Sequence, residues 1–114
     1  MEVRYSGGFK RQIKRLARRY RQIKNDIESI INELIADETP GEQISGTDYT
    51  LYKVRAKNSD NNRGKSGGYR VIYYLKTTTS CTLVTIYSKS DQGDITPDEL
   101  ARLLNKIENE SEPE

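Results

Sequence analysis

The sequence predicts an α+β fold: two N-terminal helices packed on a small antiparallel sheet, with a short C-terminal helix. Three observations predict it. Apolar residues from Phe9 to Leu34 recur in steps of three and four, as on one side of a helix. Three later segments are rich in Val, Ile, Thr and Tyr, which suit pleated, half-buried surfaces. Thr96-Pro97-Asp98-Glu99 then reads as a helix start. With 114 residues the chain has the size of one domain, expected over 1–108, with 109–114 an acidic disordered tail.

Taken in order, Glu2-Val3-Arg4-Tyr5 supplies a short first strand ended by Ser6-Gly7-Gly8. Phe9, Ile13, Leu16, Tyr20, Ile23, Ile27, Ile30 or Ile31, and Leu34 form the helical stripe. Neither proline nor glycine interrupts 9–36, yet the charge sign reverses near Lys24, and Asn25 or Asp26 suits a second N-cap. Two helices folded as a hairpin are therefore expected. The segment 36–46, ADETPGEQISG, reads as a loop.

Strands follow at 50–57, 68–76 and 80–89. The short link Thr77-Thr78-Thr79-Ser80 favours antiparallel pairing of the last two. In the final helix Thr96 is the cap, Pro97 the first helical residue and Glu99 the capping-box partner. Leu100, Leu103, Leu104 and Ile107 give it an apolar stripe.

Composition narrows the chemistry. No apolar run is long enough to cross a bilayer and no hydrophobic leader is present, so a cytoplasmic protein without membrane contact is expected. Cys81 is the single cysteine and there is no histidine, which leaves no disulfide and no conventional metal or cofactor site to expect. Acid–base chemistry falls to Lys, Arg, Tyr, Asp and Glu.

The net charge of +2 conceals blocks. Residues 1–24 hold nine basic side chains against Glu2, and residues 25–50 hold seven acids and no base. Residues 51–90 hold eight bases against Asp60, and the C-terminal segment is acidic again. A fold that joins the basic blocks makes a surface for phosphate polymers.

Strand alternation says where those charges point. Lys53, Arg55 and Lys57 share one face of their strand, and Arg70, Ile72, Tyr74 and Lys76 share one face of the next. Tyr69, Val71, Tyr73 and Leu75 are the better candidates to cover the helices, which leaves Arg70 beside Tyr74 on the open side of the sheet. Charges on a wet sheet face ordinarily serve solubility. Lys53, Arg55 and Arg70 together repel one another and call for an external anion. A phosphate fits: arginine offers a planar fork to two oxygens, and a lysine of depressed pKa can take the proton of a ribose 2′-hydroxyl. Such a site cuts RNA through a 2′,3′-cyclic phosphate, and DNA is inert to it.

Tyr52-Lys53-Val54-Arg55, the segment from Gly68 to Tyr74, and Ile86-Tyr87-Ser88-Lys89 followed by the Thr96-Pro97 helix resemble the RelE/ParE toxin superfamily, nearest to its HigB-like branch. The resemblance spans Phe9 to about Leu104. It implies a RelE-like fold and a toxin of a type II toxin–antitoxin pair that enters the ribosome and cuts mRNA there as a metal-independent endoribonuclease. Carried over by motif, Lys53 and Arg55 take the places of the paired cations, Arg70 that of the strand arginine and Lys89 that of the basic residue after the last strand. Lys53 becomes the base and Arg55 a phosphate clamp.

Lys57, Arg63 and Lys65 extend the surface toward RNA backbone. Two departures from the RelE pattern stand out: Ser90 occupies the place of an arginine, and the C-terminal tyrosine has no counterpart, with Tyr87 or Tyr74 as substitutes. A small antitoxin, often of helix-turn-helix type in this branch, is the implied partner, alongside the ribosome and mRNA. The competing expectations are a ParE-like inhibitor of DNA gyrase and a non-catalytic RNA-binding relative.

Overall fold

A computed structural model of the protein describes residues 1–61 and 67–110, with Glu110 described by its backbone alone. Its elements are β1 (Glu2–Tyr5), α1 (Gly7–Ala17), α2 (Ile23–Ile35), β2 (Glu42–Ile44), β3 (Leu51–Ala56), β4 (Tyr69–Thr77), β5 (Ser80–Ser88) and α3 (Pro97–Glu110). The five strands form one sheet in the order β1-β5-β4-β3-β2. Among the described residues no helix is long and apolar enough to cross a membrane.

Helix α1 begins at Gly7, two residues ahead of the apolar stripe. The Ser6 hydroxyl explains the start: it accepts from the Phe9 amide at 3.0 Å and donates to the Val84 carbonyl at 2.9 Å, capping the helix and tying it to β5. The hairpin is present, but its break lies at 18–22, ahead of the expected Asn25 and Asp26. Tertiary contacts set that position. Tyr20 is buried edge-on against Tyr69 and donates to Asp91 at 2.9 Å, while Asp60 accepts from the Gln22 amide at 3.0 Å. Asp26 instead accepts from both the amide and the hydroxyl of Ser59.

The helical stripe is correct in its members: Phe9, Leu16, Tyr20, Ile23, Ile27, Ile30 and Leu34 join Val54, Ala56, Tyr69, Val71 and Tyr73 in one core. Three features of the sheet differ from the expectation. It is mixed, because β1 pairs parallel with β5 while the other pairs are antiparallel. The segment read as a loop contains β2, whose Glu42–Ile44 pair with Lys53–Leu51. A three-residue edge strand has no period to detect, and its hydrogen bonds depend wholly on β3. Gly41, at φ +93°, permits the approach, since a Cβ there would collide with the Lys53 carbonyl.

The third difference bears on the site. Helix α3 has 14 residues, against 11 and 13 in α1 and α2, so it is not short. It lies over the sheet face that the sequence leaves open. Leu100 and Leu104 form a second core there with Leu51, Ile72, Val84 and Tyr87, and Leu103 and Ile107 pack against it. The apolar side chains on that face are the reason, because an uncovered Leu51–Ile72–Val84 patch would lose about 1.5–3 kcal/mol of burial free energy per large side chain. The start of α3 follows the expectation: Thr96 accepts from the Glu99 amide at 3.2 Å and donates to its carboxylate at 3.1 Å.

Candidate nucleic-acid interface

The site is built on three adjacent strands. In β3–β4 pairing Lys53 stands opposite Ile72 and Arg55 opposite Arg70, and in β4–β5 pairing Arg70 stands opposite Tyr87. Directly paired residues share a face, so Arg55, Arg70 and Tyr87 make a row across the sheet, with Lys53 two residues along β3 from Arg55. Gly68 sets the near end of this pairing. A Cβ on it would collide with the Ala56 carbonyl oxygen, so only glycine lets β4 come so close to β3 there.

A bulge brings Tyr87 into the row. The β4–β5 register shifts between Ile72 and Tyr73: Ile72 pairs with Thr85 and Tyr73 with Leu83, leaving Val84 as the extra residue. Cys81 and Leu83 face the helical core, and regular alternation from them would send Tyr87 the same way. Beyond the bulge Ile86 faces that core and Tyr87 the other.

Exposure divides the cations. Arg55 is exposed and Lys53 half-buried, but Arg70 retains only 5% of its surface. It is therefore not on an open sheet face. It lies at the margin of the α3-covered core, where its guanidinium donates to the Tyr69 carbonyl at 3.3 Å. Tyr87 is also buried, and burial pushes its phenol above the ordinary value near 10, partly opposed by a backbone hydrogen bond from Ile95 and by the Arg70 charge. It stays an O–H donor at neutral pH.

The loop after β5 adds a carboxylate. Lys89 pairs with Asp94 at 2.8 Å, and Tyr87 donates to the same carboxylate at 3.4 Å. The Lys89 hydrogen bond chiefly, then the charges of Lys53 and Lys89 and the Tyr87 hydrogen bond, hold Asp94 below its ordinary value. Asp94 is an element the sequence reading missed, because nothing in Ser90-Asp91-Gln92-Gly93-Asp94 distinguishes one turn acid from another. Of the two substitute tyrosines, Tyr87 is beside Arg70. Tyr74 packs edge-on against Tyr49 and bonds Glu108 of α3 at 3.5 Å, on the far side of Ile72.

The structure thus brings Lys53, Arg55, Arg70 and Lys89 to one face with Tyr87 and Asp94. Lys57 follows β3 directly and is exposed. Arg63 and Lys65 lie outside the described residues. Chemically, the arrangement offers two guanidinium forks and two ammonium groups for an anion, with a phenol as proton donor and one carboxylate to orient Lys89.

No curated protein matches the chain. Residues 9–110 match the family model described as the RelE toxin of the RelE/RelB toxin–antitoxin system, and that span covers α1 from its third residue, all of α2 and α3, four of the five strands and every residue of the cationic face. The chain belongs to the RelE toxin family.

Proposed function

We propose that this toxin is a ribosome-dependent mRNA endoribonuclease of the HigB-like branch, acting in the cytoplasm. Membership of the family makes it a toxin with a cognate antitoxin as partner. The observation that carries the finer reading is the direct opposition of Arg55 and Arg70 with Lys53 on the same face. Two guanidinium forks set opposite one another, with an ammonium group on the same face, suit the non-bridging oxygens of one phosphate.

In this reading Arg55 and Arg70 hold the non-bridging oxygens of the scissile phosphate. Lys53 takes the proton of the 2′-hydroxyl, whose oxygen attacks phosphorus. The P–O5′ bond breaks, and the departing oxygen receives a proton from Tyr87 or Lys89. The products are a 2′,3′-cyclic phosphate and a 5′-hydroxyl. Half-burial of Lys53 and burial of Arg70 keep these charges partly away from water, where each acts more strongly on developing negative charge. Lys57, Arg63 and Lys65 serve as backbone contacts, and the antitoxin is of helix-turn-helix type.

The test is induction of the wild-type chain in cells with 5′ ends mapped on mRNA. Cuts inside translated frames, absent when translation is blocked, are expected. Growth arrest without such cuts overturns the ribonuclease reading, and trapped gyrase cleavage complexes in those cells would replace it with a topoisomerase target.

A further inference from the structure

A cleft at the edge of β5, beyond Tyr87, holds a second group of cations that the site above does not use. Strand β1 pairs with β5 only as far as Leu83, and the Ser6–Val84 hydrogen bond starts α1 there, so Gly8 and Arg11 stand against the uncovered edge of β5. Arg102 and Lys106, one turn apart on α3, close the cleft from the other flank. Between them lies a cavity of about 330 Å³ with Thr85 and Tyr87 among its walls. Thr85 stands opposite Ile72 and Tyr87 opposite Arg70, so both face the side of the sheet that carries Arg70.

The charge of this lining is of one sign. Arg11, Arg102 and Lys106 are exposed, and none of them makes an ion pair among the described residues. Glu99 is the one acid among the described residues of the wall, and its carboxylate already accepts from the Thr96 hydroxyl at 3.1 Å. Thr85 supplies an independent observation: it is 5% exposed, yet its hydroxyl has no hydrogen-bond partner among the described residues. A buried hydroxyl without a partner is costly, and an anion in the cavity would accept from it. Two guanidinium forks, an ammonium group and a hydroxyl suit the two non-bridging oxygens of a phosphodiester.

Tyr87 decides what the anion belongs to, because it is shared with the cationic face. Arg70, on the middle strand, lies between Lys53 of β3 and Tyr87 of β5. With Lys53 at the attacking 2′-hydroxyl and Tyr87 on the side of the departing 5′-oxygen, the strand that continues past Tyr87 is the 3′ segment. We propose that the cleft binds the next phosphodiester of the substrate RNA, one nucleotide 3′ of the scissile linkage, through Arg11, Arg102, Lys106 and the Thr85 hydroxyl. The inference rests on the ribonuclease reading above and adds a second phosphate subsite to it. Holding that phosphate fixes the leaving nucleotide beside Tyr87, so contacts made away from the reacting bond orient it.

The experiment compares the full wild-type chain with Arg102→Ala/Lys106→Ala on ribosome-bound mRNA carrying either native linkages or one uncharged methylphosphonate, placed one nucleotide 3′ of the mapped cut. Removing the cations or the charge of that linkage should each slow cleavage about tenfold, and removing both should slow it no further than one alone. Thr85→Val, which removes only the hydroxyl, should lose less. A 2′-O-methyl trinucleotide, which cannot be cut, reads the same contact by binding to the free protein. Its affinity should fall when its second linkage is a methylphosphonate, in wild type but not in the double variant, and the variant's salt dependence should be shallower by about 0.7 per lost contact. Wild-type behaviour of the double variant overturns the proposal, as do losses that multiply. Loss of ribosome binding whatever the mRNA linkage assigns these cations to ribosomal RNA and overturns it too. A wild type that cuts no mRNA but still discriminates the two trinucleotides fails the ribonuclease reading alone.

Discussion

Arg55 and Arg70 stand directly opposite one another on β3 and β4, one exposed and the other 5% exposed. The pair differs in what each can lose. Arg70 is held in place by its surroundings, and Arg55 is free to close on a ligand from solvent.

Arg70→Ala should lower translation-dependent mRNA cleavage by about a hundredfold or more, the scale seen when one charge-stabilising donor is removed. Arg70→Lys keeps the charge without the fork and should fall between that variant and wild type. Circular dichroism and antitoxin binding report whether the fold is intact. Wild-type cleavage by a folded Arg70→Ala protein rejects the role assigned to this residue.

Tyr87→Phe removes one hydroxyl and leaves the ring packed with Leu100 and Leu104. Cleavage should fall about tenfold to a hundredfold, with stability changed by no more than about 1 kcal/mol. Tyr74→Phe, whose hydroxyl meets Glu108 instead, should cleave at the wild-type rate. Equal effects of the two variants would show that Tyr87 has no special part.

Asp94 makes a pH-dependent contribution. Its folded-state pKa lies below the unfolded one, chiefly through Lys89, so the stabilisation is present above the unfolded value and is lost as pH falls through the folded one. The stability difference between wild type and Asp94→Asn should thus be present at neutral pH and shrink below about pH 4. Its size is limited because the carboxylate is 56% exposed and the pair is screened by solvent. Denaturant titrations of both proteins across that range measure it, and a difference that grows on acidification contradicts the sign.

Gly68→Ala places a Cβ against the Ala56 carbonyl oxygen. The β3–β4 pairing must open at the end that holds Arg55 and Arg70, at a cost of about 1–3 kcal/mol. Stability and cleavage should fall together. Thermal unfolding of this variant beside Gly93→Ala, where a Cβ meets nothing, provides the comparison.

Much of the fold was legible in local sequence because it obeys short-range rules. The stripe from Phe9 to Leu34, the three main strands and the Thr96–Glu99 cap follow from periodicity, β propensity and side-chain reach; alternation put Lys53 and Arg55 on one face of their strand and Arg70 opposite the helix-covering residues of the next, and the β3–β4 register joined them. Features that depend on distant partners were not legible. The hairpin break at 18–22 rests on Asp60 and Asp91, and β2 exists only through its bonds to β3.

The sequence by itself determined the α+β class, the core stripe and the identity of the cations, since each is written in residues a few positions apart. Only the tertiary structure decided the surroundings of those cations. Arg70 is buried in the folded chain, the extra Val84 turns Tyr87 toward it, and the β5–α3 loop delivers Asp94 to Lys89. The physical reason is common to all three. Strand register, helix docking and loop closure are fixed by contacts between residues far apart in the chain, and side-chain chemistry depends on the environment those contacts create.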